Sequence, residues 1–474
     1  MWTSAVVLVV LGLALTVAIL LGGRGDGGIG LLWLGGACLI MGLALAIAVL
    51  CSKRYIAAPR RALPGQRDGG ALRVVVVEGF LSRLAFGIIS FALPLYAYRL
   101  GMSLDVIGIL LATNTAVAVL LKPLMGMLID RIGVRASYVV AVALRTCVVL
   151  SLVIASHPAH LFVARALHGV AIALRDPSSA TVLTALGGKK AVAQRFAWYQ
   201  TAKTVAGSAG GFVAGMLITF VAGDYGLVFE VSALLSGLPM ILVLTGLRGP
   251  EVSGLAAPRR EKTPAMPHEL KRVLWPYALL GASMNGTAYL MANLLPVLAV
   301  SHMGLSEAAA SSLYVVTAVI SLSGPLWGWV ADRFNLKLVL GVRAIGNVFS
   351  SLIWLLLPTY LGLAIGKVAD DVGKAAFRPA WGAVMANVSA LDSARRSQTL
   401  AMMSTAEDAG ELGAPILAGL IWSAFGLPAV LLLRAGAGLA TECYSWLLAK
   451  SLSLEKEADN GEAASPNPAP RRAR

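Results

Sequence analysis

The chain has 474 residues, 58% of them hydrophobic and 13% charged, with a net charge of +15 and a mean hydropathy of +0.78. This composition excludes a water-soluble globular domain and requires a lipid bilayer as solvent. The positive excess does not point to nucleic acid, because Lys and Arg gather in short segments between apolar runs, where the positive-inside bias puts them.

Apolar stretches of about twenty residues predict roughly fourteen helices. Two come first, near Ser4–Leu21 and Ile29–Cys51. No basic segment precedes them, so a cleaved signal peptide is not expected. A linker with Lys53, Arg54, Arg60, Arg61, Arg67 and Arg73 follows. Six spans then start near Val74, Leu104, Ala136, Ala159, Trp198 and Gly226. After a polar stretch with Arg259, Arg260, Glu261, Lys262, Lys271 and Arg272, six more start near Val273, Glu307, Leu338, Thr359, Thr399 and Leu427. The predicted organisation is an N-terminal pair of spans with its linker (1–72), a six-helix bundle (73–247), a central loop (248–272), a second six-helix bundle (273–450) and a disordered tail (451–474), rich in Glu, Pro, Ala and Arg. Basic residues concentrate on the loops of one side, which predicts that this side and both termini are cytoplasmic. The Ala- and Arg-rich composition points to a bacterial inner membrane. Cys38, Cys51, Cys147 and Cys443 lie in or beside apolar runs without CxxC spacing, and predict neither a disulfide framework nor a metal site.

The two six-span sets repeat one another. GMLIDRIGVR starts at Gly126 and GWVADRFNLK at Gly328, 202 residues later. Pro94 and Pro296, Pro123 and Pro325, Pro177 and Pro379, Asp105 and Glu307, and Arg165 and Lys367 keep the same offset. Internal duplication in an apolar chain is how secondary carriers build a site between two bundles.

The loop Gly126-x-Leu128-x-Asp130-Arg131-x-Gly133-x-Arg135, between the second and third core spans, resembles the signature loop of the major facilitator superfamily. Gly328-x-Val330-x-Asp332-Arg333 with Lys337 falls where that family carries a second copy, with Asn335 in place of Gly133. Arg165-x-x-His168-Gly169 resembles its fourth-span pattern. The resemblance covers Arg73 to Lys450. It implies an all-α integral membrane protein: two pseudo-symmetric six-helix bundles of the major facilitator type, here with two extra N-terminal transmembrane helices. It also implies that Asp130, Arg131 and Arg135, with Asp176 nearby, form a charge cluster that opens as the halves rock. Finally, it implies that the first, fourth, seventh and tenth spans line a central cavity. Glu78, Arg83, Arg165, His168, Asn285, Tyr289, Asn293, Lys367 and Lys374 then become its candidate lining.

Charges at mid-membrane cost roughly 2.5–3.5 kcal/mol and ask for a partner or a role. Lys367 to Asp371 and Asp370 to Lys374 are i, i+4 pairs that can neutralise one another along one helix. Glu407, Asp408 and Glu411 crowd three acids into five residues, and adjacent carboxyls in low dielectric can exchange protons near neutral pH. Glu411 is the first candidate for proton coupling; Glu407, Asp408, Glu78, Asp370, Asp371 and His168 are the others. Gly207-x-x-Gly210-Gly211-x-x-x-Gly215 resembles the glycine pattern of the family's antiporters, and Gly410-x-x-Gly413-Ala414-Pro415-x-x-x-Gly419 echoes it, as tight packing between halves requires.

The leading expectation is a proton-coupled exporter of a small amphipathic or drug-like solute, needing no cofactor or metal and functional as a monomer. Arg83, Lys122, Arg165 and Lys203 make the first half basic within the membrane, which favours instead a carrier of an organic anion. A receptor, scaffold or accessory subunit is the alternative of another class. No nucleophile elbow, zinc-spaced histidines or phosphate loop points to an enzyme.

Overall fold

The computed structural model describes residues 69–185, 192–246, 267–324, 326–327, 330, 336–389, 392 and 396–463. The two N-terminal spans and most of the central loop lie outside that range. Among the described residues the chain is helical, with no strand. The first six helices are α1 (Gly69–Arg99), α2 (Leu104–Ile132), α3 (Val134–Val153), α4 (Pro158–Ala185), α5 (Val192–Phe220) and α6 (Tyr225–Gly246). The next six are α7 (His268–Ala292), α8 (Glu307–Ser321), α9 (Leu336–Leu356), α10 (Tyr360–Ser389), α11 (Arg396–Phe425) and α12 (Leu427–Ala463).

The repeat is visible in where the helices begin. Val134 and Leu336, Pro158 and Tyr360, and Tyr225 and Leu427 are helix starts 202 residues apart. Packing repeats as well: α5 lies on α1 as α11 lies on α7, and α4 on α3 as α10 on α9. The halves meet through two matching contacts, α5 with α8 and α2 with α11.

Two local departures have physical causes. α7 stops at Ala292 and the chain re-forms as a π-helical turn, Val297–His302, immediately after Pro296. Proline donates no amide hydrogen and its ring crowds the preceding turn, which weakens a helix at that point; its repeat counterpart Pro94 is nevertheless accommodated within α1. At the other end, α12 continues to Ala463, into the segment expected to be disordered. Ser451 to Ala463 is rich in Leu, Glu, Lys and Ala, good helix formers, and the first proline beyond Lys450 is Pro466.

The apolar core shows how the halves are joined. One large cluster combines Phe91, Leu95, Ile107 and Phe229 of the first half with Leu290, Leu294, Leu313, Ala418 and Trp422 of the second. It sits at the end of the molecule opposite the Asp130–Arg135 loop. Towards the basic end the core divides into two larger clusters, with a small third one, Ala202 and Val205 of α5 against Ala318 of α8, still joining the halves. One of the larger clusters holds only first-half residues such as Ile129, Tyr138, Leu174 and Val243; the other holds only second-half residues such as Leu274, Ala376, Trp381 and Met403. The bundles therefore share a large apolar core at one face and only a narrow contact towards the other.

Glycines set the closest approaches. A Cβ on Gly210 would collide with the Leu84 carbonyl oxygen and the Gly87 backbone of α1, whereas Gly211 and Gly215 face Tyr314 and Ser311 of α8. In the second half, Gly410 lies against Ala282 of α7, and Gly419 against Leu104 of α2. Each glycine-rich helix thus packs one edge inside its own half and the other across the interface. Replacing Gly210 by Ala should cost about 1–3 kcal/mol, because backbone cannot yield as a side chain does. Gly413→Ala, with nothing within 4 Å of the added carbon, should be neutral or slightly stabilising. Thermal unfolding of the two variants in detergent checks this, and equal loss in both would contradict it.

Candidate functional site

Three polar groupings occupy the interior. The first lies within the first half. Glu78 of α1 is wholly buried and accepts both Nε (3.1 Å) and Nη2 (2.7 Å) of Arg175 on α4, together with the Tyr138 hydroxyl of α3. The carboxylate ties three helices together. Asp176 lies 3.7 Å from the same Arg175. Arg145 stacks over the Phe86 ring at 4.0 Å, and the same ring stacks with His168 at 4.3 Å.

The second lies within the other half. Asp370 accepts Arg343 of α9 (3.2 Å), Arg434 of α12 (2.6 Å) and Lys374 of its own helix (2.6 Å). Arg434 also donates to Asn347, Ser350 and Ser351 of α9. Asp371 is turned to α8 instead, where Thr317 donates to it while Lys367 bridges both. Successive helix positions point about 100° apart, so the two neighbouring acids serve different helices. Both i, i+4 pairs expected from spacing are present, and Asp370 belongs to the interior of its half. Arg165, one repeat before Lys367, makes the corresponding bridge in the first half: it donates to the Leu110 and Leu111 carbonyls (3.3 and 2.5 Å) and to Asn114 of α2.

The third grouping spans the seam. Lys122 of α2 pairs with Asp408 of α11. Arg378 of α10 reaches Thr204 of α5 at 3.5 Å. Glu407 accepts the Trp381 indole, and the Asn285 amide donates to the Glu407 carbonyl (3.0 Å). Glu411 meets the Tyr289 hydroxyl, with Asp408, Arg83 and Lys122 as its other polar neighbours. Arg165 also faces it. Arg83 lies along Gly207, within 3.0 Å of where a Cβ would stand. Asn293 caps the C-terminus of α7, away from these contacts.

In the loop resembling the family signature, Gly133 has φ +85° and is at once the C-cap of α2 and the N-cap of α3. A one-residue turn in that region of backbone space favours glycine. Arg131 is exposed, Arg135 half-buried, and the flank of Gly126 is open. The Asp130 and Lys337 side chains, and Gly328, Asp332 and Arg333, lie outside the described residues.

Sequence spacing did not single out Arg175, Tyr138, Thr317, Asn114, Tyr314, Trp381 or Arg378. Each meets its partner on a different helix, and only the 202-residue correspondence, which matches the bridge from Arg165 of α4 to α2 with that from Lys367 of α10 to α8, offered a signal for any of them.

Removing the Asp370 charge leaves three buried cations without their anion, so Asp370→Asn should cost about 3–5 kcal/mol. Asp408→Asn breaks a partly exposed pair and should cost about 1 kcal/mol or less. Denaturant or thermal unfolding of the purified variants gives both values, and a ranking in the reverse order would refute the assignment of Asp370 as the anchor of its half.

The chain matches the sequence model of the Major Facilitator Superfamily over residues 75–360, more than half its length. No curated protein sequence matches it. Among solved structures, a peptide transporter aligns at a TM-score of 0.64 and 15% identity, over 84% of this chain and 98% of its own. A bacterial homologue of the human lysosomal transporter Spinster, inward-facing and occupied, aligns at 0.63 and 15%, over 80% and 96%. The human organic anion transporter TETRAN aligns at 0.57 and 15%, over 80% and 99%. The duplicated six-helix halves, the loop at Gly126–Arg135 and these matches together make the chain a member of the major facilitator superfamily, a family of membrane transporters.

Proposed function

We propose that the protein is a secondary carrier in which the two halves rock about the central seam, with proton movement coupled to passage of a small organic solute. The observation that carries this reading is the distribution of the core: one large cluster shared at one face, mostly separate clusters at the other, with acids and bases of both halves at the junction. Under the positive-inside bias the less packed face is the cytoplasmic one, and it is the face we take to open to the cytoplasm. Glu411 is the proton site. It sits at the junction beside Arg83 and Tyr289, where its ionisation changes the charge that both halves and a solute meet.

Export of an amphipathic or drug-like solute rests on the glycine pattern of α5. The second reading, carriage of an organic anion, is favoured by Arg83 and Arg378, which stand exposed at the seam with no ion pair among the described residues. The two readings differ in the sign of coupling. A neutral or cationic solute that competes with a proton is exchanged for it, whereas an anion is helped by the proton and travels with it.

The test is transport in proteoliposomes with and without an imposed pH gradient. Wild-type protein should accumulate solute in response to the gradient. Glu411→Gln should lose that response while retaining solute exchange at equal pH. Loss of exchange as well, in a variant that folds normally, would remove Glu411 from proton coupling; absence of any solute flux across a chemically broad panel would sink the carrier reading.

A further inference from the structure

The seam contains more positive charge than its acids neutralise, and the surplus is localised. Lys122 is taken by Asp408. Arg165 is taken by carbonyls and Asn114 of α2. Lys203 lies over the Tyr199 ring at 5.1 Å. Arg83 and Arg378 remain, with Glu411 and Glu407 respectively as their nearest acids but without an ion pair to either. Both are exposed in the opening between the halves, and neither forms an ion pair among the described residues.

The two come from opposite halves but meet the same face of α5. Arg378 contacts Thr204 and Arg83 lies on Gly207. Those positions are three apart on a helix, so their faces are separated by about 5–6 Å. Both guanidinium groups also act on Tyr289, which holds the Glu411 carboxyl. Two guanidinium groups converging on one stretch of helix are placed to share one anion. Guanidinium is the side chain whose planar donor fork fits an oxyanion through paired hydrogen bonds. Gly207 contributes by having no side chain, which leaves Arg83 free to lie flat against the helix.

We propose that Arg83 and Arg378 are the two arms of a clamp for one oxyanion group of the transported solute, a carboxylate or a phosphate-type group, seated on the Thr204–Gly207 face of α5. This rests on the carrier reading and deepens it by naming the solute's chemistry. The groups facing Glu411 are Asp408 and Glu407 on its own helix, Arg83 of α1, Lys122 of α2, Arg165 of α4, Tyr289 of α7 and, through Tyr289, Arg378 of α10. Ionised, Glu411 competes with the solute for Arg83; protonated, it releases that arm. Proton and anion therefore bind in mutual support, and anion binding strengthens as pH falls.

The experiment uses the purified full-length protein in detergent and reads binding by thermal stabilisation. The probes are benzoate, glutarate, phenylphosphonate and inorganic phosphate, against benzamide and benzylamine as neutral and cationic counterparts. At least one oxyanion should bind where its counterparts do not, and its affinity should rise on acidification. Arg83→Gln and Arg378→Gln should each weaken it by about ten- to hundredfold, the range for losing a charged hydrogen-bonding partner. Arg99→Gln, at the far face, should leave it unchanged. Glu411→Gln should raise affinity and flatten its pH dependence, a gain that a damaged fold cannot produce. Comparison of carboxylate with phosphonate and phosphate distinguishes the two oxyanions. The clamp is overturned if counterparts bind as well as the oxyanions, if no oxyanion binds, or if binding survives both arginine substitutions. Should oxyanions bind in this way without flux in proteoliposomes, the carrier reading fails and the clamp stands as a binding site. Flux of a neutral or cationic solute, indifferent to both arginines, would leave the carrier reading in place and remove the clamp.

Discussion

A charge carried into a bilayer must find an opposite charge, a set of dipoles or water, and the polar architecture of this protein is organised by that requirement. Glu78 finds Arg175 and Tyr138; Asp370 finds two arginines and a lysine. Arg165 takes carbonyls and an amide from the neighbouring helix. Each arrangement cross-links helices of one half and makes that half a rigid body. Arg83, Arg378 and Glu411 stand at the junction of the halves without an ion pair among the described residues. In the proposed carrier their partners are the moving interface and the solute that passes through it.

Duplication explains why rigidity is distributed in this way. Equivalent helices begin at equivalent residues, and the α4-to-α2 bridge of Arg165 has its counterpart in the α10-to-α8 bridge of Lys367. The copies have diverged where neutralisation is concerned. The first half uses one buried acid at its centre, on α1; the second uses two adjacent acids on α10, with arginines from α9 and α12 closing on one of them. Conserving helix positions while exchanging ion-pair partners is physically undemanding, since any well-placed opposite charge satisfies the same requirement.

The sequence made the helices legible because apolar length and loop charge are local properties. It also made the Lys367–Asp371 and Asp370–Lys374 pairs legible, because an i, i+4 spacing fixes proximity on any helix. The anchors of Asp370 on α9 and α12, and of Glu78 on α4, were not readable in this way. Arg343, Arg434 and Arg175 are separated from their acids by 27, 64 and 97 residues, and only helix crossing angles decide that they meet. Spacing likewise could not tell that Asp370 turns into its own half while Asp371 turns to α8. The glycine pattern of α5 was readable as close packing, but not that its two edges serve different neighbours.

That division of labour on α5 bears on how the halves can move. Gly210 holds α5 to α1, backbone against backbone, so the two travel together. Gly211 and Gly215, on the other edge, approach α8 equally closely, Gly211 against the Tyr314 ring and Gly215 against Ser311 and the Glu307 carbonyl. At the α2 and α11 contact, Gly108 lies against the Pro415 carbonyl and Gly419 against that of Leu104, and further towards the basic end the same contact carries the Lys122–Asp408 pair. In the proposed rocking, these two closely packed contacts and the one ion pair are the links that change, while the buried anchors within each half stay intact. The proposed oxyanion between Arg83 and Arg378 would add a further link across the same seam, on the face of α5 that belongs to the first half. A group bound there would change the balance between the two ends of the proposed motion.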